Sequence, residues 1–534
     1  MANPILDSSS YDEVPYPSFP MPQTHPRHLQ TIGCLLGLNP PEIDRCRVLE
    51  LGCGNGGNLI PMALSLPESQ FLGIDLSAVQ IEAGRQQTLA IELKNIELRH
   101  LSVLDFDKQF GEFDFIICHG VYSWVPAEIQ SKILGIFSQQ LAGDGIGFIS
   151  YNTHPGWHQW GVIRKMMNFH VDRDRNASPT ERIRQAKQLL EFLVRATPAQ
   201  QQSYGMLLRE QLEILQRLPD AYLFHEHLEE FNEPVWFLDF CDELTVYGLR
   251  YLAESDFSSM VASTAFSAAV QNELEEFAPN LLDKEQYMDF IRNRSFRQTL
   301  VCHGHQQPNY DVRAERIFEL SVASPVRPIS ECPDLISDEP EVFATTSGAS
   351  IQTPLPIFKA ALVCLREVWP AYLPFVELLQ RAMRRLELVS PETAVQLREF
   401  SIPLARSLLT AFASSSQPLV QLVSRAPQFV TALSHFPFVH PLARLQAAKG
   451  DAVVNLRHEV VDVLSLDRAL LVLLDGSLAS DGLVDELFSR LALSDSERDT
   501  AQGDFWRDST NDDDRRQLLK QRLETLLASA LFQS

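Results

Sequence analysis

The chain has little basic charge, no long apolar run and no paired-cysteine motif, and each shortage removes a class of function. Its 45 Lys and Arg face 69 Asp and Glu, for a formal charge of −24. Such a field repels phosphates, so nucleic acid and anionic lipid are not expected as partners, whereas a cationic side chain or a small amine is. The longest apolar stretches, Phe113 to Cys118 and Leu470 to Leu474, fall far short of the roughly 20 residues of a bilayer span. The first sixteen residues carry Asp7, Asp12 and Glu13 and lack the basic start and apolar middle of a secretory signal, so a cytoplasmic location is expected. None of the eight cysteines stands in a C-x-x-C pair, which argues for reduced thiols over a disulfide framework. No internal repeat of roughly 20 to 50 residues is found, which excludes solenoids and propellers.

What is present is length and pattern. A chain of 534 residues with 45% hydrophobic content has material for roughly two to four domains. From Arg45 onward short apolar runs alternate with longer amphipathic ones, the signature of a doubly wound, Rossmann-like α/β sheet. The pattern predicts strands over 46–51, 70–75, 96–102, 113–118 and 145–150, and helices over 57–66, 78–93 and 126–141. Residues 1–45 read as an arm laid over the site and 46–158 as the core. The region 159–235 reads as a helical insertion. Further strands predicted at 249–253 and 296–303 let residues 236–305 complete the sheet. Residues 306–350, rich in Pro and Ser, read as a linker with strands at 316–322 and 341–345. The rest, 351–534, reads as a mainly helical, winged-helix-like domain, in which 467–474 and 482–491 form a helix-turn-helix pair around Asp475-Gly476.

The chemistry concentrates at Val48-Leu49-Glu50-Leu51-Gly52-Cys53-Gly54-Asn55-Gly56-Gly57. Glycines between a strand and a helix let backbone amides approach a ligand closely. Gly52, Gly54 and Gly56 alone would also suit a dinucleotide. Glu50 argues otherwise, because a carboxylate beside the turn repels a pyrophosphate and suits the cationic methionine end of S-adenosylmethionine (SAM). Asp75, closing the second strand, stands where a carboxylate accepts both ribose hydroxyls. Ser102 and Val103 follow the third strand on the adenine side, and Ile74 and Leu76 could wall the ring. Asn58 and Tyr16 complete the expected cofactor set. Metal ligands are not expected: His225-Glu226-His227 and Cys302-His303-Gly304-His305 lack the spacing of a metal site.

Two segments leave the far edge of the sheet, His119-Gly120-Val121-Tyr122-Ser123-Trp124-Val125-Pro126 and Ser150-Tyr151-Asn152-Thr153-His154-Pro155-Gly156-Trp157-His158. Tyr122, Trp124 and Tyr151 are expected to line an acceptor channel and to stabilise an alkylammonium through cation–π contacts. His119, His154, Tyr151 or water is the candidate to receive the acceptor's proton.

These motifs, with Ser10-Tyr11-Asp12-Glu13-Val14-Pro15-Tyr16 and Arg294-x-Phe296-Arg297-Gln298-Thr299-Leu300, resemble a bacterial family of class I methyltransferases bearing a methyltransferase regulatory domain. That family includes protein lysine methyltransferases acting on an outer-membrane protein. The resemblance runs from about residue 10 and weakens after 350. It implies that Tyr11, Glu13 and Tyr16 fold over the cofactor, that residues about 220–304 form the regulatory region, and that the acceptor is a protein lysine. The alternatives are a small-molecule N- or O-methyltransferase and a non-catalytic SAM-binding regulator. A homodimer is the expected assembly.

Overall fold

Val48, Leu49 and Leu51 are wholly buried, as a strand covered by helices on both faces requires, and they form the centre of a seven-stranded sheet. The computed structural model describes residues 14, 16, 18–174, 177–198, 201–260, 266–388, 394–414, 419–487 and 512–533. Its main sheet contains β1 (Arg47–Leu51), β2 (Gln70–Asp75), β3 (Ile96–His100), β4 (Phe113–Cys118), β5 (Leu141–Asn152), β6 (Leu249–Glu254) and β7 (Phe296–His303). The order is β3-β2-β1-β4-β5-β7-β6, with the first five strands parallel and β7 antiparallel to both its neighbours. Strand order reverses between β1 and β4, and a doubly wound sheet opens its ligand crevice at such a point, beyond the strands' carboxyl ends.

Between β5 and β6 the described residues form five helices, the last of them Phe237–Val246; the first four, Trp157–Val171, Pro179–Ala196, Gln202–Arg217 and Asp220–Leu228, make up the insertion. Their apolar faces, including Ile163, Met167, Leu190, Leu208 and Leu223, close on one another, and Val14 of the arm packs against them. The insertion returns to the crevice through main-chain bonds, Glu233 N–H to Ser123 O at 2.8 Å and Val235 N–H to Asn152 O at 3.0 Å.

Beyond the sheet the structure departs from the sequence reading. Residues 306–350 are no mere linker, since Ile317, Leu320, Val322, Val326 and Phe343 share a core with Leu362, Leu378 and Leu404. Residues 316–322, predicted as one strand, divide into a 3₁₀ helix at Ala314–Glu319 and a strand at Ser321–Ala323. A separate core unites Val439, Leu466, Leu470, Leu487, Leu523 and Phe532, so the region after 350 holds two packing units. The helix-turn-helix pair begins with Ser465–Leu473, while residues 488–491 of its second helix lie outside the described residues. Among the described residues no helix is long and apolar enough to cross a membrane, and all eight cysteines are free.

Candidate active site

Glu50 breaks the pattern of its own strand. It is 4% exposed in the middle of β1, and burial raises its pKa to about 8. Asn58 Nδ2 donates to Glu50 Oε1 at 2.8 Å, while Oε2 is buried and has no hydrogen-bond partner among the described residues. A buried acceptor left in that state carries a desolvation cost, and a cationic group brought to it would lower its pKa again. The donor set therefore fits the ammonium end of SAM.

The turn that follows takes left-handed φ at Gly52, Gly54 and Gly56 (75°, 55° and 77°), a conformation open to glycine at little cost. Asp75 braces it, with Oδ2 accepting from Gly54 N–H and Oδ1 from Ser77 N–H, both at 2.8 Å. The arm closes over this turn. Gly57 N–H donates to Ser18 Oγ at 3.1 Å, Gln80 Nε2 to Tyr16 O at 3.1 Å, and Met21 N–H to Asn58 Oδ1 at 2.9 Å. The approach is close enough that a Cβ on Gly57 would stand 2.3 Å from Ser18 O. Ser18 and Met21 were not singled out by the sequence, because an arm without periodicity carries no sign of what it covers. Tyr11 and Glu13 lie outside the described residues. Ser102 and Val103 open a short 3₁₀ turn after β3, where the Ser102 hydroxyl accepts from Leu104 N–H at 3.2 Å. Leu76 is 38% exposed at the crevice, whereas Ile74 is wholly buried in the core and offers no wall.

On the acceptor side the structure separates the aromatic candidates. Tyr122 and Tyr151 are 0% and 1% exposed, so they support the acceptor loops from beneath and do not line a channel. The Tyr122 hydroxyl donates to Glu243 at 2.9 Å, and Tyr151 Oη lies 3.1 Å from Thr299 Oγ1. A buried tyrosine needs such partners, and both sequence segments read the same whichever way the ring points. Trp124 is half-buried, edge-on to Trp157 with ring centres 6.1 Å apart and with the Arg164 guanidinium 5.5 Å from its ring centre. Trp160 stacks on His227 at 5.7 Å. His119 is held by Ser150 Oγ at 3.0 Å, and burial lowers its pKa to about 4, which makes it a poor acceptor for an amine's proton at neutral pH.

The segment weighed above only as a metal site holds a second group of shifted acidity. Burial raises the Glu226 pKa to about 7, and the Glu226 charge helps raise the pKa of both Tyr16 and Tyr222, after burial itself. These three side chains join the arm to the last helix of the insertion. His225 fastens the same joint, with Nε2 2.6 Å from Val14 O and Nδ1 2.8 Å from Glu229 Oε1. Among the described residues no three His, Cys, Asp or Glu side chains gather as a metal site would require.

A sheet of this order, with a glycine turn after β1 and an acidic residue closing β2, defines a class I methyltransferase fold. Comparison with known proteins agrees. Residues 49–146 match a family model described as "Methyltransferase domain", 219–303 one described as "Predicted methyltransferase regulatory domain", and 436–531 one described as "PKMT, C-terminal winged helix domain". The uncharacterized protein RP789 of Rickettsia prowazekii is 37% identical over 388 residues, 72% of this chain and 69% of that one. The uncharacterized protein RP028 of the same organism is 44% identical over 234 residues, 44% of this chain and 93% of that one. The solved structure of PKMT2 from Rickettsia typhi in complex with AdoHcy matches with a TM-score of 0.84 at 29% identity, covering 97% of this chain and 100% of that one. The chain belongs to the class I SAM-dependent methyltransferases that carry a methyltransferase regulatory domain. The matched regulatory region contains β6 and β7, so it is a structural part of the catalytic sheet.

Proposed function

We propose that the chain N-methylates a lysine side chain of a protein substrate. The observation that carries this reading is a half-buried carboxylate, Glu226, close enough to Tyr16 and Tyr222 to act on both, Tyr16 being the arm residue whose carbonyl accepts from Gln80 beside the glycine turn. Aromatic faces accept an alkylammonium through cation–π attraction, and the acidic surface draws cationic segments toward it. The likeness to PKMT2 over nearly the whole chain supports the same substrate class.

When bound, SAM supplies an electrophilic methyl group on a sulfonium. The remaining tasks fall on the chain. Glu50 and Asp75 would hold the two polar ends of the cofactor, and the arm residues Ser18 to Thr24 would cover it from water. A lysine amine, with a reference pKa of about 10.4, must shed a proton before its lone pair can attack. Glu226, poised near neutrality, receives it. Its ionised form increases as pH rises through about 7, so transfer is expected to rise over the same interval. Glu226→Gln is expected to lower the transfer rate by roughly 100-fold and to remove that limb of the pH profile while SAM affinity holds. A parent-like rate with an unchanged profile would take Glu226 out of the proton path.

The substrate class is tested by incubating the protein with methyl-labelled SAM and a host lysate, then hydrolysing the labelled fraction to amino acids. Label recovered as methyl-lysine is the expected result. Label confined to small molecules would replace this reading with a small-molecule transferase.

A further inference from the structure

Asn58, which orients Glu50, is itself held from the opposite end of the chain. His458 Nε2 lies 2.8 Å from Asn58 Oδ1, across 400 residues of sequence. The amide cannot be turned round, because Met21 N–H can only donate and it points at the same oxygen. Both Nδ2 hydrogens are committed, to Glu50 Oε1 at 2.8 Å and to Thr24 Oγ1 at 3.0 Å. His458 must therefore donate through Nε2–H, and burial, which lowers its pKa to about 3, keeps the ring neutral.

His458 sits at the tip of the hairpin formed by Ala452–Val454 and Val460–Asp462, within the region matching a winged helix domain. Its backbone is left-handed, with φ 65°, which is uncommon for a residue with a side chain. Two devices keep it there. Asn455 Oδ1 accepts from Arg457 N–H and Glu459 N–H, both at 2.9 Å. Arg457 anchors the tip to the neighbouring core, donating to Pro370 O at 2.6 Å with its guanidinium 4.2 Å from the Trp369 ring and 4.9 Å from that of Tyr372. The ring of His458 is 3% exposed and meets His25 of the helix after the arm edge-on at 5.2 Å.

We infer that His458 is a positioning residue for the cofactor: the hairpin tip fixes Asn58, Asn58 fixes Glu50, and docking of the C-terminal unit is thereby coupled to SAM binding. The inference rests on the reading that Glu50 faces the cofactor. Such coupling is reciprocal, so SAM must in turn steady the hairpin.

Calorimetry of the full-length protein with SAM tests it. His458→Ala is expected to weaken SAM binding by about tenfold, the size of one net hydrogen bond, and to raise KM for SAM with kcat little changed. His458→Gln, whose amide can donate near the place of Nε2–H, should recover most of the affinity. In the parent protein SAM should slow amide hydrogen exchange over residues 452–462. Unchanged affinity in His458→Ala, or a loss that His458→Gln does not recover, overturns the inference. If neither variant folds, an unaltered exchange rate in the parent protein overturns it. Asp75→Ala separates the two levels: parent-like affinity there defeats the cofactor reading, whereas loss there with none in His458→Ala defeats only the inference about His458.

Discussion

Asp75→Ala is expected to abolish calorimetrically measurable SAM binding while the chain stays folded. The carboxylate ends β2 at the mouth of the crevice and holds the turn by accepting from Gly54 and Ser77 N–H. A carboxylate offers about four acceptor positions, so one group can serve both the turn and a ribose. Two hydrogen bonds to a charged acceptor contribute about 1.5–3 kcal/mol each, which corresponds to a loss of roughly 100- to 10,000-fold in affinity. The cost to folding is small by comparison, because Asp75 is only partly buried and water can reach the amides it leaves. Asp75→Asn should fall between, since it keeps one acceptor but turns a donor toward a donor. Parent-like affinity in Asp75→Ala would remove this residue from the cofactor site.

Arg297→Met is expected to produce the largest loss of stability. Arg297 on β7 has no exposed side-chain surface, and it meets Glu254 at 2.6 Å, Asp289 at 2.8 Å and Glu285 at 3.2 Å. Arg294 stands 3.1 Å from Asp289 and 3.9 Å from the other two, so it cannot neutralise all three acids alone. Removing one partner of a buried ion cluster costs about 3–5 kcal/mol because the remaining charges stay desolvated. For a unit of this size that is on the order of ten degrees in melting temperature. The loss should depend on pH with a definite sign. Burial already raises the Glu285 pKa to about 6, and without Arg297 that folded-state value rises further above the one in the unfolded chain. The folded state then binds more protons than the unfolded one, so stability falls as pH rises from about 5 to 8. Melting curves at the two ends of that range check this, and an equal deficit at both would count against the account.

The legible parts of this fold were those that local pattern determines. The five parallel strands could be read because β1 and β4 are apolar on both faces, and Glu50 stood out because it contradicts that rule. Aromatic residues after a strand carry no such mark. Tyr122 and Tyr151 were expected on a channel wall, yet each found its hydroxyl partner more than a hundred residues away, at Glu243 and Thr299. Pro and Ser made 306–350 look like a linker, although Val322 and Phe343 fill a core whose other half lies between 357 and 422. Glu226 escaped notice because its neighbours raised a question of metal spacing, whereas its environment is created by burial and by Arg164, some sixty residues earlier.

The bond between Asn58 and His458 also has a consequence in time. A ribosome adds roughly 5–20 residues per second, so the 400 residues between them take roughly 20 to 80 s to make. For nearly all of that interval β1, the glycine turn and Asp75 are already synthesised, but the imidazole that holds Asn58 does not yet exist. The nascent chain thus passes through a stage in which the strands that cradle the cofactor are present and their last brace is still to be translated.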